Sequence, residues 1–127
     1  MNTPVSYPLA RLLKEKDFPQ PKTVEEAKKL GLLFNWYNED GVYNANYKLS
    51  TTIQAPTISE TVMWLYEKHG IWISVTKDVD VKWSNDYFNY HILSPKGTTQ
   101  SDIGGTIPNS PTEAYEAAIT YVLENLI

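Results

Sequence analysis

The sequence predicts an α+β fold, with one antiparallel sheet built from hairpins and three to four helices packed mainly on one of its faces. Three helix-start signatures place a hydroxyl three residues before a carboxylate and ahead of an apolar run: Thr23 with Glu26, Thr57 with Glu60, and Ser110 with Glu113. Between the second and third signatures, apolar residues recur at every second position, as in half-buried strands. Because 127 residues is the size of one domain, we expect residues 1–127 to form a single α+β domain.

The first two helices are predicted from the residues at their ends. Ser6 is a suitable cap for a helix that tolerates Pro8 in its first turn and ends before Pro19. The second helix follows Thr23 and covers Val24–Leu30. Gly31 is placed to end it in the left-handed conformation.

Two longer helices are predicted further along the chain. One runs from Thr57 to His69 and is closed by Gly70. Its expected buried stripe consists of residues at helical spacing: Ile58, Val62, Leu65, Tyr66 and His69. The last helix follows Ser110, and its expected buried face comprises Tyr115, Ala118, Ile119, Val122, Leu123 and Leu126.

The strands are predicted from turn signals and from a period of two. Residues 32–38 and 42–49 form a hairpin around Glu39-Asp40-Gly41, since Asp-Gly is a strong turn signal. Residues 71–83 form a long strand, and a two-residue turn at Asn85-Asp86 would pair it with the strand that follows. A turn at residues 94–97 leads into residues 98–109, for which a short edge strand and a mobile loop both remain open.

Composition excludes several classes of function. The chain has no cysteine, which removes disulfide scaffolds, thiolate zinc sites and cysteine nucleophiles. Its net charge is −4, with Arg11 as the only arginine, so the basic patch that nucleic-acid binding needs is missing and a nucleic-acid partner is not favoured. The first thirty residues contain no apolar segment typical of a signal peptide or membrane anchor. We therefore expect no membrane association and a cytoplasmic location.

One pair of residues is a weak candidate for catalysis. With the turn at Asn85-Asp86, His91 lies directly opposite Asp80 on the outward face of the hairpin. An imidazole beside a carboxylate resembles a general base with its orienting partner. No nucleophile accompanies the pair, and such cross-strand contacts are common on solvated sheet faces. We therefore expect no enzymatic activity.

The sequence contains no recognisable metal or cofactor motif. His69 and His91 lie on different elements, and the chain has no His-Glu-x-x-His spacing. The Gly104-Gly105 pair lacks the spacing of a phosphate-binding loop. We expect no metal, no cofactor and no identifiable small-molecule ligand.

Aromatic residues on outward faces are the main candidates for partner binding. Trp64 lies away from the apolar stripe of its helix, so either a neighbouring loop covers it or it anchors a protein partner. Trp72 is expected on the sheet face opposite Ile71 and Ile73, and Tyr87 shares that face. If no helix covers this face, Trp72 and Tyr87 form an exposed aromatic patch that favours protein binding or self-association.

Three segments resemble a set of short uncharacterised proteins found in phages and in prophage regions of gut-associated Bacteroidota. They are residues 10–16, residues 109–119, and residues 55–73 with the run Trp64-Leu65-Tyr66-Glu67-Lys68-His69-Gly70-Ile71-Trp72-Ile73. The resemblance covers helix caps and core stripes, so it implies a common fold rather than a common active site. It also implies a phage-derived accessory protein acting in a bacterial cytoplasm.

The sequence therefore favours a non-enzymatic interaction protein of unknown specific function that binds another protein or itself. The alternative is a nucleic-acid-associated accessory protein, which the aromatic sheet supports and the acidic charge opposes. An enzyme ranks third, since it rests only on His91 and Asp80.

Overall fold

The computed structural model describes residues 3–45, 52–80, 85–100 and 110–127. Within these ranges the chain forms four helices: α1 (Tyr7–Glu15), α2 (Val24–Leu30), α3 (Ile58–His69) and α4 (Pro111–Asn125). The strands are β1 (Asn35–Tyr37), β2 (Tyr43–Ala45), β3 (Ile53–Gln54), β4 (Trp72–Asp80), β5 (Asn85–Ser94) and β6 (Gly97–Gln100). The α+β class is confirmed. The strands form two three-stranded antiparallel sheets, in the orders β2-β1-β3 and β4-β5-β6, where the sequence predicted one sheet.

The helices begin at the residues that the capping signatures predicted. The side chains of Thr23 and Ser110 each accept a hydrogen bond, 3.1 Å long, from the backbone N–H three residues later. Gly31 ends α2 with a φ of 73°, in the left-handed region that favours glycine. Ser6 precedes α1, as predicted, but its side chain makes no cap hydrogen bond.

The chain divides into two compact units, Met1–Thr61 with Ile127, and Val62–Leu126. In the first unit, β1 is the central strand, and Trp36 on it is fully buried. A short antiparallel bridge joins Pro4 to Thr57 and holds the segment before α1 beside the start of α3. The buried apolar residues of this unit include Val5, Leu9, Leu13, Phe18, Trp36, Ile53 and Ile58.

The hairpin between β1 and β2 turns where Asp-Gly predicted it. The side chain of Asn38 organises the turn, since its Oδ1 accepts hydrogen bonds of 2.9 Å from the backbone N–H groups of Asp40 and Val42. Gly41 follows with a φ of 79°. The second predicted strand of this hairpin extends to Leu49, but residues 46–49 lie outside the described residues.

In the second unit, α4 packs on one face of the β4-β5-β6 sheet, against β4 and β5. Ile73 and Ile92 lie opposite each other on these strands, and both are buried. The residues of α4 that are buried are Ala114, Ala118, Ile119, Val122 and Leu123, which matches most of its predicted apolar face. Tyr115 and Leu126, also predicted on that face, are only half-buried.

The pairing of β4 with β5 differs from the prediction. Ser74 lies opposite His91 and Asp80 lies opposite Asn85, a register six positions from the predicted one. Asn85 and Asp86, the predicted turn, are paired strand residues, and the connection falls in residues 81–84, which lie outside the described residues. The wrong register still placed the apolar residues correctly, because a shift by an even number of residues keeps each side chain on its face.

Beyond the turn at residues 94–97, β6 pairs with β5 along Gly97–Gln100. The first part of the segment left open by the sequence is therefore an edge strand, whereas residues 101–109 lie outside the described residues. The expectation that the whole chain is one domain stays a prediction.

Candidate interaction surface

The connection from α3 to β4 places two aromatic rings together. Gly70 takes a φ of 67°, and the backbone N–H of Ile71 donates to the carbonyl oxygen of Leu65 at 3.2 Å. This tight reversal sets Trp72, the first residue of β4, beside Tyr66 on the last turns of α3. The two ring centroids are 5.4 Å apart with an interplanar angle of 80°, a favourable edge-to-face contact.

A third apolar side chain completes the surface. Leu93 on β5 is the direct cross-strand partner of Trp72. Tyr66, Trp72 and Leu93 are exposed over 51%, 42% and 58% of their surface, and we call these three residues the Trp72 cluster. Met63 is also exposed and lies one turn before Tyr66 on the same side of α3. Because these large apolar side chains are grouped rather than scattered singly, this surface is a candidate interaction surface.

The sheet geometry explains why Trp72 and Leu93 are exposed. Successive side chains of a strand point to opposite faces, so Trp72 and Leu93 lie on the face opposite Ile73 and Ile92. Helix α4 covers the face of the two isoleucines. We call the other face, which carries Trp72 and Leu93, the open face.

The next two residue pairs along the open face are polar and contain no acidic side chain. Ser74 pairs with His91, and Thr76 pairs with Asn89. The hydroxyl of Thr76 lies 3.4 Å from Nε2 of His91. The open face thus combines an apolar end, at the Trp72 cluster, with a row of hydrogen-bonding side chains.

The structure separates the candidate catalytic pair, which is a correction to the sequence prediction. His91 faces Ser74, and Asp80 is paired six positions further along β4. At about 3.3 Å per residue, that is roughly 20 Å along the strand, far beyond hydrogen-bonding distance. The reason is the register: the turn that was expected to bring these residues together does not form.

Trp64 is less accessible than Trp72. It is half-buried on α3, and its ring lies edge-on to that of His69, with centroids 5.0 Å apart. Nε2 of His69 is buried and has no hydrogen-bond partner within the described structure. A half-buried Trp64 fits neither full coverage by a loop nor a freely exposed anchor, so its role as a partner contact stays a prediction.

Tyr87 shares the open face with Trp72 but lies at the other end of the hairpin. Its cross-strand partner is Asp78, six residues from Trp72, so roughly 20 Å separates the two positions. The sequence therefore placed Tyr87 on the correct face, but the structure does not bring it into the Trp72 cluster.

Two members of the Trp72 cluster were missed by sequence reasoning. Tyr66 was expected in the buried stripe of α3, because it follows Val62 and Leu65 at helical spacing. It lies at the margin of that stripe, where helical spacing alone does not separate buried from exposed positions. Leu93 carried a usable signal, since alternation from the buried Ile92 places it on the opposite face.

One surface depression is small compared with a typical ligand pocket. An open depression of about 210 Å³ lies along α1, lined by Pro8, Arg11, Leu12 and Glu15. Typical small-molecule pockets enclose about 300–1,000 Å³. No group of three or more His, Asp or Glu side chains in the described ranges has a metal-binding arrangement. Among the same residues, no helix has the length and apolar character needed to cross a bilayer.

Comparison with known proteins gives no family assignment. No protein-family model, no curated protein and no solved structure matches the chain. The resemblance of residues 10–16, 55–73 and 109–119 to phage proteins therefore stays an expectation from the sequence.

Proposed function

We propose that this chain is a small non-enzymatic accessory protein that acts through protein–protein contacts made by the Trp72 cluster. The observation that carries the proposal is the exposure of Trp72 and Leu93 side by side on the face that α4 does not cover, with the exposed Tyr66 of α3 against the Trp72 ring. Tryptophan and tyrosine are the residues most enriched at the energetic centres of protein interfaces.

The chemistry of the surface supports a protein partner. Burying an exposed leucine side chain contributes about 1.5–3 kcal/mol, and the two aromatic rings offer still larger apolar areas. Trp72 and Tyr66 already support each other through their edge-to-face contact, which limits the side-chain entropy that binding would cost. The polar row beside the cluster resembles the hydrogen-bonding rim of an interface.

The resemblance to phage and prophage proteins of gut-associated Bacteroidota supports a bacterial cytoplasm as the place of action. With the pair of His91 and Asp80 separated, the sequence-based argument for an enzyme loses its geometric basis.

The experiment compares matched leucine substitutions. Leu93→Ser removes an apolar side chain from the Trp72 cluster, and Leu33→Ser removes one with nearly the same exposure, 53%, outside it. Solution mass is measured by light scattering, and binding partners are captured from a bacterial lysate with the tagged chain. Trp72→Ala and Trp64→Ala are measured in parallel.

We expect the native chain to self-associate or to capture a specific protein, with Leu93→Ser and Trp72→Ala weakening that association about tenfold or more. Leu33→Ser should retain it. If only Trp64→Ala loses binding, the interface lies on the side of α3 that carries Trp64 and not at the Trp72 cluster. Retention by both cluster variants, or a native chain that associates with nothing, would overturn the proposal.

A further inference from the structure

The strand that carries Trp72 is an edge of its sheet. In the order β4-β5-β6, β4 has β5 on one side. Along residues 72–76, the described part of the chain offers β4 no second strand. In an antiparallel sheet, every second residue of an edge strand directs its backbone N–H and C=O groups outward. Natural proteins seldom leave such an edge without protection or a partner.

We propose that β4 pairs with β4 of a second copy of this chain, antiparallel, about a two-fold axis that passes beside Ser74. The inference rests on the proposed function, since Trp72 belongs to both surfaces, and it names the partner. Pairing joins the two sheets into one of six strands, in the order β6-β5-β4-β4-β5-β6. Six strands is a common size for a sheet in globular proteins.

The side chains of residues 72–76 are complementary to themselves in this register. Trp72 lies opposite Thr76 of the second copy, and Ile73 lies opposite its Val75. Cross-strand pairs are stabilising when an aromatic residue faces a β-branched one, and also when two β-branched residues face each other. Trp72 and Thr76 are both exposed in the single chain, so pairing covers surface that is otherwise in water. The apolar pair extends the face that α4 covers, and Ser74 meets its own copy on the open face.

Charge favours this antiparallel arrangement over a parallel one. Lys77 is an exposed base near the edge. A parallel pairing in register would place it beside Lys77 of the second copy, at about 4.8 Å between strands. In the antiparallel register about Ser74, the two lysines are six residues apart, or roughly 20 Å, which exceeds the Debye length of about 8 Å at physiological salt.

Position 74 gives a sharp test, because only there does a residue lie directly opposite its own copy. Ser74→Lys places two like charges opposite each other on the open face, and Ser74→Glu does the same with the opposite sign. Ala117→Lys is the matched control: it adds the same charge to an exposed position of α4, away from β4 and from the Trp72 cluster. Far-UV circular dichroism establishes that each variant is folded.

Solution mass is measured for each protein by light scattering, from about 1 μM to about 500 μM, because mass action favours the dimer at high concentration. We expect the native chain and Ala117→Lys to reach twice the 14.5 kDa chain mass. Ser74→Lys and Ser74→Glu, each measured separately, should stay at the single-chain mass. The dissociation constant of the dimer should rise at least tenfold in each. An equimolar mixture of the two should recover the dimer.

Hydrogen exchange gives a readout that needs no variant. Amide protons at alternate positions of residues 72–76 should exchange more slowly at high protein concentration than at low. A native chain that stays monomeric, a dimer unaffected by either change at position 74, or exchange in residues 72–76 that does not depend on concentration would overturn the pairing. A monomer that still captures another protein through Leu93 and Trp72 would overturn the inference while leaving the proposed function standing.

Discussion

Glu60 stabilises two backbone segments of the first unit with one carboxylate. Its Oε1 accepts a 2.8 Å hydrogen bond from the backbone N–H of Thr57, which completes the capping box of α3. Its Oε2 accepts a 2.6 Å hydrogen bond from the backbone N–H of Leu33, 27 residues away in the chain. The residue that predicted the start of α3 thus also ties that start to the segment before β1.

We expect Glu60→Ala to lower the free energy of unfolding by about 1.5–3 kcal/mol, because a charged acceptor is lost from two backbone donors. Glu26→Ala is the matched control, since Glu26 holds the corresponding position in α2 but accepts a single 3.3 Å hydrogen bond, from the backbone N–H of Lys22, the residue before the cap. We expect a loss below about 1 kcal/mol there. Urea unfolding of both variants measures the difference, and equal losses would contradict a bridging role for Glu60.

Two features favour glycine at position 41: the backbone conformation and the limited space beside the Tyr7 ring. It has a φ of 79°, and a Cβ added there would lie 3.0 Å from Cδ2 of Tyr7. The Tyr7 ring is held in place by an edge-to-face contact with Tyr37, at 5.5 Å between centroids, and by a hydrogen bond from its hydroxyl to the carbonyl oxygen of Glu39. To make room for a Cβ, the ring would have to shift by a few tenths of an ångström against these two contacts.

Gly41→Ala should therefore destabilise the protein more than Gly31→Ala. Gly31 has a similar φ of 73°, but an added Cβ there would meet no atom within 4 Å. Both variants incur the strain of a left-handed alanine, about 1 kcal/mol, and only Gly41→Ala adds a steric clash. Thermal unfolding measures the loss of stability in each variant. An equal loss in both would show that the Tyr7 ring moves aside at little cost.

At the scale of elements, the register of β4 against β5 decides which side chains meet on the open face. It places Trp72 opposite Leu93 and so assembles the Trp72 cluster. It also places Ser74 opposite His91 and removes Asp80 from it. A single register therefore accounts for both the proposed interaction surface and the loss of the catalytic pair.

The absence of cysteine makes the register directly testable. We expect the double variant Ser74→Cys with His91→Cys to form an intramolecular disulfide on mild oxidation, since directly paired residues lie within the Cα distances that a disulfide spans. The control, Asp80→Cys with His91→Cys, should not, because those positions are roughly 20 Å apart along the strand. Mass spectrometry after thiol labelling measures the fraction of each double variant that has formed the disulfide. If only the control forms it, the register predicted from the sequence is correct and the register described above is wrong.

At the scale of the whole molecule, α3 is the element that both compact units share. It begins in the unit Met1–Thr61 and ends in the unit Val62–Leu126. Its N-terminal turn carries the Glu60 hydrogen bonds, and its C-terminal turns carry Tyr66. Because a helix forms cooperatively, loss of one half lowers the stability of the other.

We therefore expect the chain to unfold in one transition, as a single domain would. Far-UV circular dichroism reports helix content, to which both units contribute. Tryptophan fluorescence reports both units, with Trp36 in the first and Trp64 and Trp72 in the second. The two signals should give the same urea midpoint. Two separate midpoints would divide the chain into two domains and would contradict the expectation for residues 1–127.

The sequence by itself determined the local structure and the side of each element that is buried. Thr23, Thr57 and Ser110 marked helix starts because a hydroxyl near free backbone N–H groups forms its hydrogen bond locally. Gly31 and the Asp40-Gly41 turn were predicted because few residues tolerate a positive φ. Alternation placed Ile73 and Trp72 on opposite faces before any partner strand was known. These signals depend on neighbours in the chain and can be read from a single sequence.

Only the tertiary structure decided which elements meet and in what alignment. The two-residue strand β3 has too few residues to show a period, and the division into two sheets depends on contacts between distant segments. A six-residue change in the register of β4 and β5 leaves every face unchanged, so alternation could not choose between His91 with Asp80 and His91 with Ser74. The Trp72 cluster depends on that choice. Its residues come from a helix and two strands, and they meet only because long-range pairing brings them together.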